Sequence, residues 1–222
     1  MIRRNNMIKM TLAIGLVAVI GAGATLAYLT DTTDKVKNTF VIGNGIDIDL
    51  LETKYGEDVK TVVNKKFKEN IYDGLLPSDS VKKDPTVKVH KDSSDCYVFM
   101  RVSGIDALEA ADPNEGRVSD FEVTVHDGIN WKKAEPIDEN KKDGIYVYVF
   151  DPTKGDKVIP KQADNLELEE LSIDVKYLEG ADGTTPAKGL VPIEVEACAI
   201  QAKGLNYADA LDQVCNGVWK QF

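Results

Sequence analysis

The stretch Cys96-Tyr97-Val98-Phe99-Met100-Arg101-Val102 decides the architecture. Successive side chains of a strand point to opposite faces, so Cys96, Val98, Met100 and Val102 form one row and Tyr97 and Phe99 the other. Both rows are apolar. A strand of that kind needs cover on both sides and is expected in the middle of a sheet rather than at its edge.

Outward from it the chain reads as further short strands. Phe40-Val41-Ile42 and Ile46-Asp47-Ile48-Asp49-Leu50 flank Gly43-Asn44-Gly45, where the Asn-Gly pair predicts a tight hairpin or a bulge. Residues 80–89 read as a polar strand in which Pro85, lacking a ladder donor, belongs at an edge or a strand start. Strands are expected at 121–126, 129–132, 145–150, 171–177 and 193–202, between loops rich in Gly, Asp, Asn and Pro. Residues 105–111 predict one helical turn, and Glu167, Glu169 and Glu170 a solvated loop or helix face. Many short strands with turn signals predict an all-β protein, an antiparallel β-sandwich over residues 40–222. It ends in one amphipathic helix, residues 206–222, where Tyr207, Leu211, Val214, Cys215, Val218 and Phe222 recur on one face. Asn206 is placed to cap this helix, and Asp209 adds favourable charge to its first turn. The partner expected for the stripe is the sandwich itself.

The amino-terminal end has a different character. Arg3, Arg4 and Lys9 precede a stretch from Met10 to Thr30 without a charged side chain, whose centre (Leu12, Ile14, Leu16, Val17, Val19, Ile20) is apolar enough to enter a bilayer as a helix. Small residues follow in Gly21-Ala22-Gly23-Ala24-Thr25-Leu26-Ala27, with Thr25 and Ala27 suited to the third and first positions before a peptidase cut. Residues 1–27 therefore read as a signal helix cleaved between Ala27 and Tyr28, with a cut after Ala24 as the second choice and a retained membrane anchor as the alternative. With no Cys after the apolar core and no second apolar span, nothing further is expected to hold the mature chain in a membrane, and its place is secreted, outside the cell or at its surface.

Removing that segment takes away three of the 27 basic residues and none of the 37 acidic ones, so the net charge moves from −10 to −13. Such a chain repels nucleic acid and disfavours anionic lipid. Its three cysteines, Cys96, Cys198 and Cys215, are too few for a disulfide scaffold and leave one unpaired. Cys96 and Cys198 lie in apolar strand runs, where they either pair or, as the plainer reading has it, pack as small hydrophobes.

Catalytic patterns are missing from the sequence. The two histidines, His90 and His126, begin no His-Glu-x-x-His motif, and there is no Gly-x-Ser-x-Gly, Cys-x-x-Cys or phosphate-binding loop. Both histidines sit in polar strand contexts and are expected to be exposed and unliganded. Asp112, Asn114 and Gly116, and Asp138, Asn140, Asp143 and Gly144, offer closely spaced oxygens, but neither set has the acid that a calcium loop needs at its twelfth position, and turn chemistry accounts for them. No cofactor or metal is expected. Trp131 is expected in the core, with an exposed ligand-binding platform as the alternative.

Several segments together carry a family resemblance: residues 23–31 (GATLAYLTD), 38–44 (NTFVIGN) and 46–50 (IDIDL), then 75–80 (LLPSDS), 83–87 (KDPTV), Cys96-Tyr97-Val98, and 197–204 with the helix after it. The chain resembles the TasA/camelysin family of Gram-positive bacteria, whose signal peptides are cut by a SipW-type signal peptidase. The resemblance implies a jelly-roll-like sandwich, secretion, and assembly into biofilm-matrix fibres by donor-strand exchange, the partner being another copy of the chain or other matrix components. Carried onto this sequence, the donor is residues 28–39, with Tyr28, Leu29, Thr30, Thr32, Val36 and Thr39 as its strand-forming positions. The same resemblance leaves open a camelysin-like metallopeptidase, and a monomeric surface module that binds a ligand is a third reading. Relatives often have Pro-Gly where this chain has Pro77-Ser78, so a type I turn that accepts Ser is expected there. The Cys96 and Cys198 positions look more polar or aromatic in relatives, and no family role transfers to them.

Overall fold

The computed structural model describes residues 30–32, 45–58, 60–63, 70–72, 74–110, 119–126, 128–135, 138, 140–179 and 191–219. The expected signal helix, the strand at 40–42, its Asn-Gly turn and the oxygen-rich set at Asp112 lie outside them. The described chain is all-β. In order it forms β1 (Thr30–Thr32), β2 (Ile48–Thr53), β3 (Lys60–Val62), β4 (Ser80–Lys83), β5 (Thr86–Val89) and β6 (Cys96–Ser103). A short helix α1 (Ile105–Leu108) leads to β7 (Phe121–His126), β8 (Trp131–Glu135), β9 (Gly144–Tyr148), β10 (Leu166–Glu167), β11 (Ser172–Tyr177) and β12 (Glu194–Gln201). Helix α2 (Tyr207–Gln213) follows and widens into a π turn, Val214–Val218.

All pairings are antiparallel. One five-stranded sheet has the order β1-β12-β6-β9-β8; a four-stranded sheet, β10-β5-β2-β3, and a three-stranded sheet, β4-β11-β7, complete the set. β6 lies in the middle of the first sheet, as its two apolar rows require, and pairs with β12 along its whole length, from Cys96↔Gln201 to Ser103↔Glu194. Its two rows go to two cores. Cys96, Val98, Met100 and Val102 pack in the sandwich interior with Leu50, Val87, Val123 and Ile173 from the other sheets. Tyr97 and Phe99 join Ile145, Val147, Cys198 and Ile200 on the opposite face, which Ala210, Val214 and Trp219 of the carboxyl-terminal helix cover.

That helix meets its expected partner. Asn206 caps it, its side chain accepting from the Asp209 amide at 3.0 Å. Tyr207, Leu211, Cys215 and Val218 pack partly buried on the same core. The π turn adds one residue per turn, and its bond from the Trp219 amide to the Val214 carbonyl at 2.9 Å sets Trp219 down beneath the Arg101 guanidinium, 5.5 Å from the ring centre.

Three expectations are corrected. Residues 80–89 are two strands in two sheets, because Pro85 interrupts the ladder and the Asp84 carboxylate pins the corner by accepting from the Thr53 amide (2.8 Å) and hydroxyl (2.6 Å). The strand expected at 129–132 begins only at Trp131: Asn130 is occupied by the Val149 backbone, and Ile129 is exposed at the turn. The turn at Pro77-Ser78 does need positive φ. Ser78 has φ 79°, and the Leu76 carbonyl accepts from the Asp79 amide at 2.9 Å, which is the geometry of a type II rather than a type I turn. The elements β3 and β10, which no local pattern announced, extend the four-stranded sheet at its two ends.

Two backbone positions are sterically demanding. Gly104 has φ 92°, and a Cβ there would lie 2.2 Å from the Pro192 carbonyl oxygen. Just after it, α1 borrows its cap from elsewhere: the Asp143 carboxylate accepts from the amides of Gly104 (3.0 Å), Ile105 (2.7 Å) and Asp106 (3.2 Å). Gly104→Ala is expected to lower unfolding stability by about 1–3 kcal/mol through strain and overpacking, and Ser78→Gly to raise it by about 1 kcal/mol by relieving a left-handed non-glycine residue. Urea unfolding of both variants at a common pH measures each effect.

Candidate functional site

The expected assembly segment meets the sandwich at the edge of the five-stranded sheet. β12 presents an apolar run, Ala197-Cys198-Ala199-Ile200, that is buried on both faces and therefore folds as an interior strand. Its one side is occupied by β6 over eight positions; on its other side β1 pairs antiparallel, with Thr30↔Ile200, Asp31↔Ala199 and Thr32↔Cys198. Thr30 and Thr32 are thus placed in the ladder of their own chain. Tyr28, Leu29, Val36 and Thr39, and the cleavage junction Ala27–Tyr28, lie outside the described residues. Among the described residues, three pairings join β1 to β12 and eight join β6 to it.

The remaining candidate residues are scattered. His90 Nε2 lies 2.8 Å from Asp49 Oδ2, and His126 Nε2 lies 2.8 Å from Asp174 Oδ2. Each histidine faces a carboxylate on the neighbouring strand; His126 is exposed, whereas the expectation of an exposed side chain is corrected for His90, which is only 27% exposed. A diagonal cross-strand neighbour, invisible in a single strand's pattern, is what the sequence withheld. The two pairs belong to different sheets and do not form a common site. Among the described residues no group of three or more His, Cys, Asp or Glu side chains is placed to hold a metal ion.

The other residues singled out by the sequence have structural duties. Trp131 is buried, donates from Nε1 to the Glu169 carbonyl at 2.7 Å and meets Tyr148 edge-on at 5.1 Å, so it ties the five-stranded sheet to the segment after β10 and offers no platform. Asp138 Oδ1 accepts from the Asn140 amide at 2.9 Å, a local turn, while Asp143 serves the cap of α1. Cys96 and Cys198 belong to the two cores on opposite faces of one sheet, which rules out a bond between them. Burial pushes the Cys96 thiol up to about 12, far from a reactive thiolate.

Glu170 was expected in a solvated run, but its carboxylate bridges Lys82 of β4 and Lys60 of β3, 3.0 Å from the latter. It joins the edges of two different sheets. These contacts, the Lys82 hydrogen bond foremost, hold its carboxyl below the ordinary value of 4.5. A carboxylate depressed in the folded state contributes stability above its unfolded pKa and loses it as pH falls through the folded pKa. Glu170→Gln is therefore expected to be less stable than the parent at pH 7 and to become indistinguishable from it once pH drops well below 4.5; paired denaturation curves across that interval show the convergence.

A cleft of about 330 Å³ opens between β7 and the β8–β9 pair, lined by Val123, Thr124, Val125, Lys133, Lys141, Lys142 and Tyr146. Its cations are engaged: Lys142 Nζ meets Glu109 Oε1 and the Val123 carbonyl, both at 2.6 Å, and Lys141 lies 3.7 Å from Asp106. Lys133 donates to the carbonyls of Asp138 and Lys141. No helix among the described residues is long and apolar enough to cross a membrane. Comparison with family models, curated proteins and solved structures gives no match.

Proposed function

We propose that this chain is a secreted structural protein of the biofilm-matrix type, exported by cleavage after Ala27, whose subunits join by exchanging the amino-terminal strand. The observation that supports the reading is the position of β1 at the end of the five-stranded sheet, where Thr30, Asp31 and Thr32, its described residues, pair antiparallel with β12. A backbone ladder is indifferent to which copy of the chain supplies the strand, so a second subunit's residues 30–32 reproduce every pairing that the chain's own segment makes. Domain swapping of this kind leaves the folded body intact and replaces an intramolecular contact with an identical intermolecular one. The acidic surface keeps subunits soluble until that specific pairing forms. The function requires no catalytic group, cofactor or nucleic acid; its partners are a SipW-type signal peptidase during export and then the chain itself or other matrix components.

The test combines amino-terminal sequencing of the exported protein with electron microscopy of the same sample. Tyr28 at the new terminus and fibres that disappear when residues 28–39 are deleted are the expected results. Monodisperse monomers across concentration, pH and salt, unchanged by that deletion, would sink the assembly reading.

A further inference from the structure

One side-chain cluster outside the assembly edge carries the components of a covalent reaction. Glu52, next to the last residue of β2, follows the alternation of Ile48 and Leu50, and Lys83 ends β4 in that of Val81, so the two continue apolar rows that pack toward the sandwich interior. They meet where the four-stranded and three-stranded sheets adjoin. Lys83 Nζ lies 2.7 Å from Glu52 Oε1, with side-chain exposures of 10% and 9%. A buried ion pair of this kind does no more for stability than well-packed apolar residues of the same volume, so stability alone does not account for it.

A third group converges on the same oxygen. The Asn70 side-chain nitrogen lies 3.5 Å from Glu52 Oε1, 3.3 Å from the Tyr72 hydroxyl and 2.8 Å from the Thr53 carbonyl, to which it donates. Its other end is also fixed: Asn70 Oδ1 accepts from the Tyr55 amide at 2.7 Å. Tyr72 and Tyr55 stand against each other with ring centres 5.0 Å apart, and the Tyr72 ring lies 5.8 Å from Lys83 Nζ. The cluster thus contains an amine, a carboxamide with its oxygen held by a backbone N–H, and a carboxyl group touching both, beneath an aromatic wall.

We propose that Lys83 and Asn70 become joined by an isopeptide bond, with Glu52 as the acid–base group that forms it. Within the desolvated pair the proton passes from Lys83 Nζ to the Glu52 carboxylate, leaving a neutral amine and a carboxylic acid. The amine lone pair attacks Asn70 Cγ, and the carbonyl electron pair moves onto Oδ1, where the Tyr55 N–H stabilises the developing negative charge. Glu52 then protonates the carboxamide nitrogen and takes a proton from the attached Nζ. The C–N bond to the original amide nitrogen breaks, the carbonyl re-forms, and ammonia leaves; on reaching water it carries off the remaining proton as ammonium, and Glu52 is a carboxylate again. One amide nitrogen replaces another, so no oxidant, reductant or cofactor takes part. The bond fastens the segment that follows β3 to the end of β4, independently of how subunits assemble.

Mass spectrometry of the purified protein, denatured and reduced, reads the reaction directly. The expected mass is lower than that of the sequence from the observed amino terminus by one ammonia, and proteolysis yields a single branched peptide joining Lys83 to Asn70. Glu52→Gln and Asn70→Ala are expected to restore the full mass and abolish that peptide, with circular dichroism of Glu52→Gln confirming that the fold survives. Full mass in the unaltered protein overturns the proposal, as does an ammonia deficit that maps to a cyclic imide at another asparagine. A branched peptide undiminished in Glu52→Gln overturns the part given to Glu52.

Discussion

Every layer of this protein answers to the burial of β6 on both faces. Val98, Phe99, Met100 and Val102 are sequestered from solvent, and no single covering surface reaches both rows of such a strand. One row is covered by the two smaller sheets and the other by the carboxyl-terminal helix. Burying a large aliphatic or aromatic side chain is worth roughly 1.5–3 kcal/mol, so uncovering either row removes more stability than a domain can lose. The helix is therefore a structural layer and not an appendage. Its π turn has the same origin: widening the last turn brings Trp219 onto the sheet beside Arg101.

The sandwich is joined at its margins by polar contacts between groups distant in sequence. Asp84 holds the corner where the chain leaves one sheet for another, Glu170 spans the edges of both, and Trp131 reaches across from the facing sheet to the Glu169 carbonyl. Asp143 caps a helix on a different segment, and Asp106 returns the contact to the Lys142 amide at 2.8 Å. These links fix how the three sheets are disposed, which the apolar interior by itself leaves loosely specified. The Lys83, Glu52 and Asn70 cluster belongs to the same class of margin contact and differs in being chemically able to become permanent.

Periodicity made the large elements legible. The two rows of β6, the apolar run of β12, the stripe of the last helix and its Asn206 cap all follow from spacings of two to four residues, and the sandwich follows from them. What local spacing does not contain is the identity of a distant partner. Asp49 diagonal to His90, Asp174 diagonal to His126, and the lysines on either side of Glu170 are products of strand order. The division of residues 80–89 between two sheets was half visible, since Pro85 marked an interruption but could not say that the chain changes layer there. Ser78 misled because its residue type permits a turn that the flanking pairings of Asp79 and Tyr177 do not allow. Of the sheet edge at β1, the strand-compatible threonines were legible and their place beside β12 was not.

The pairing of β6 with β12 also dictates an order of events. It unites residues 96–103 with residues 194–201, and β1 closes on the same late strand. The five-stranded sheet thus cannot form from the first half of the chain, and its nucleus awaits segments close to the carboxyl terminus. Topologies dominated by such distant pairings fold slowly. Until residues 194–201 join, β6 has only β9 beside it, so one of its edges stays open and its apolar rows stay uncovered, and the late strand decides when the whole sheet closes.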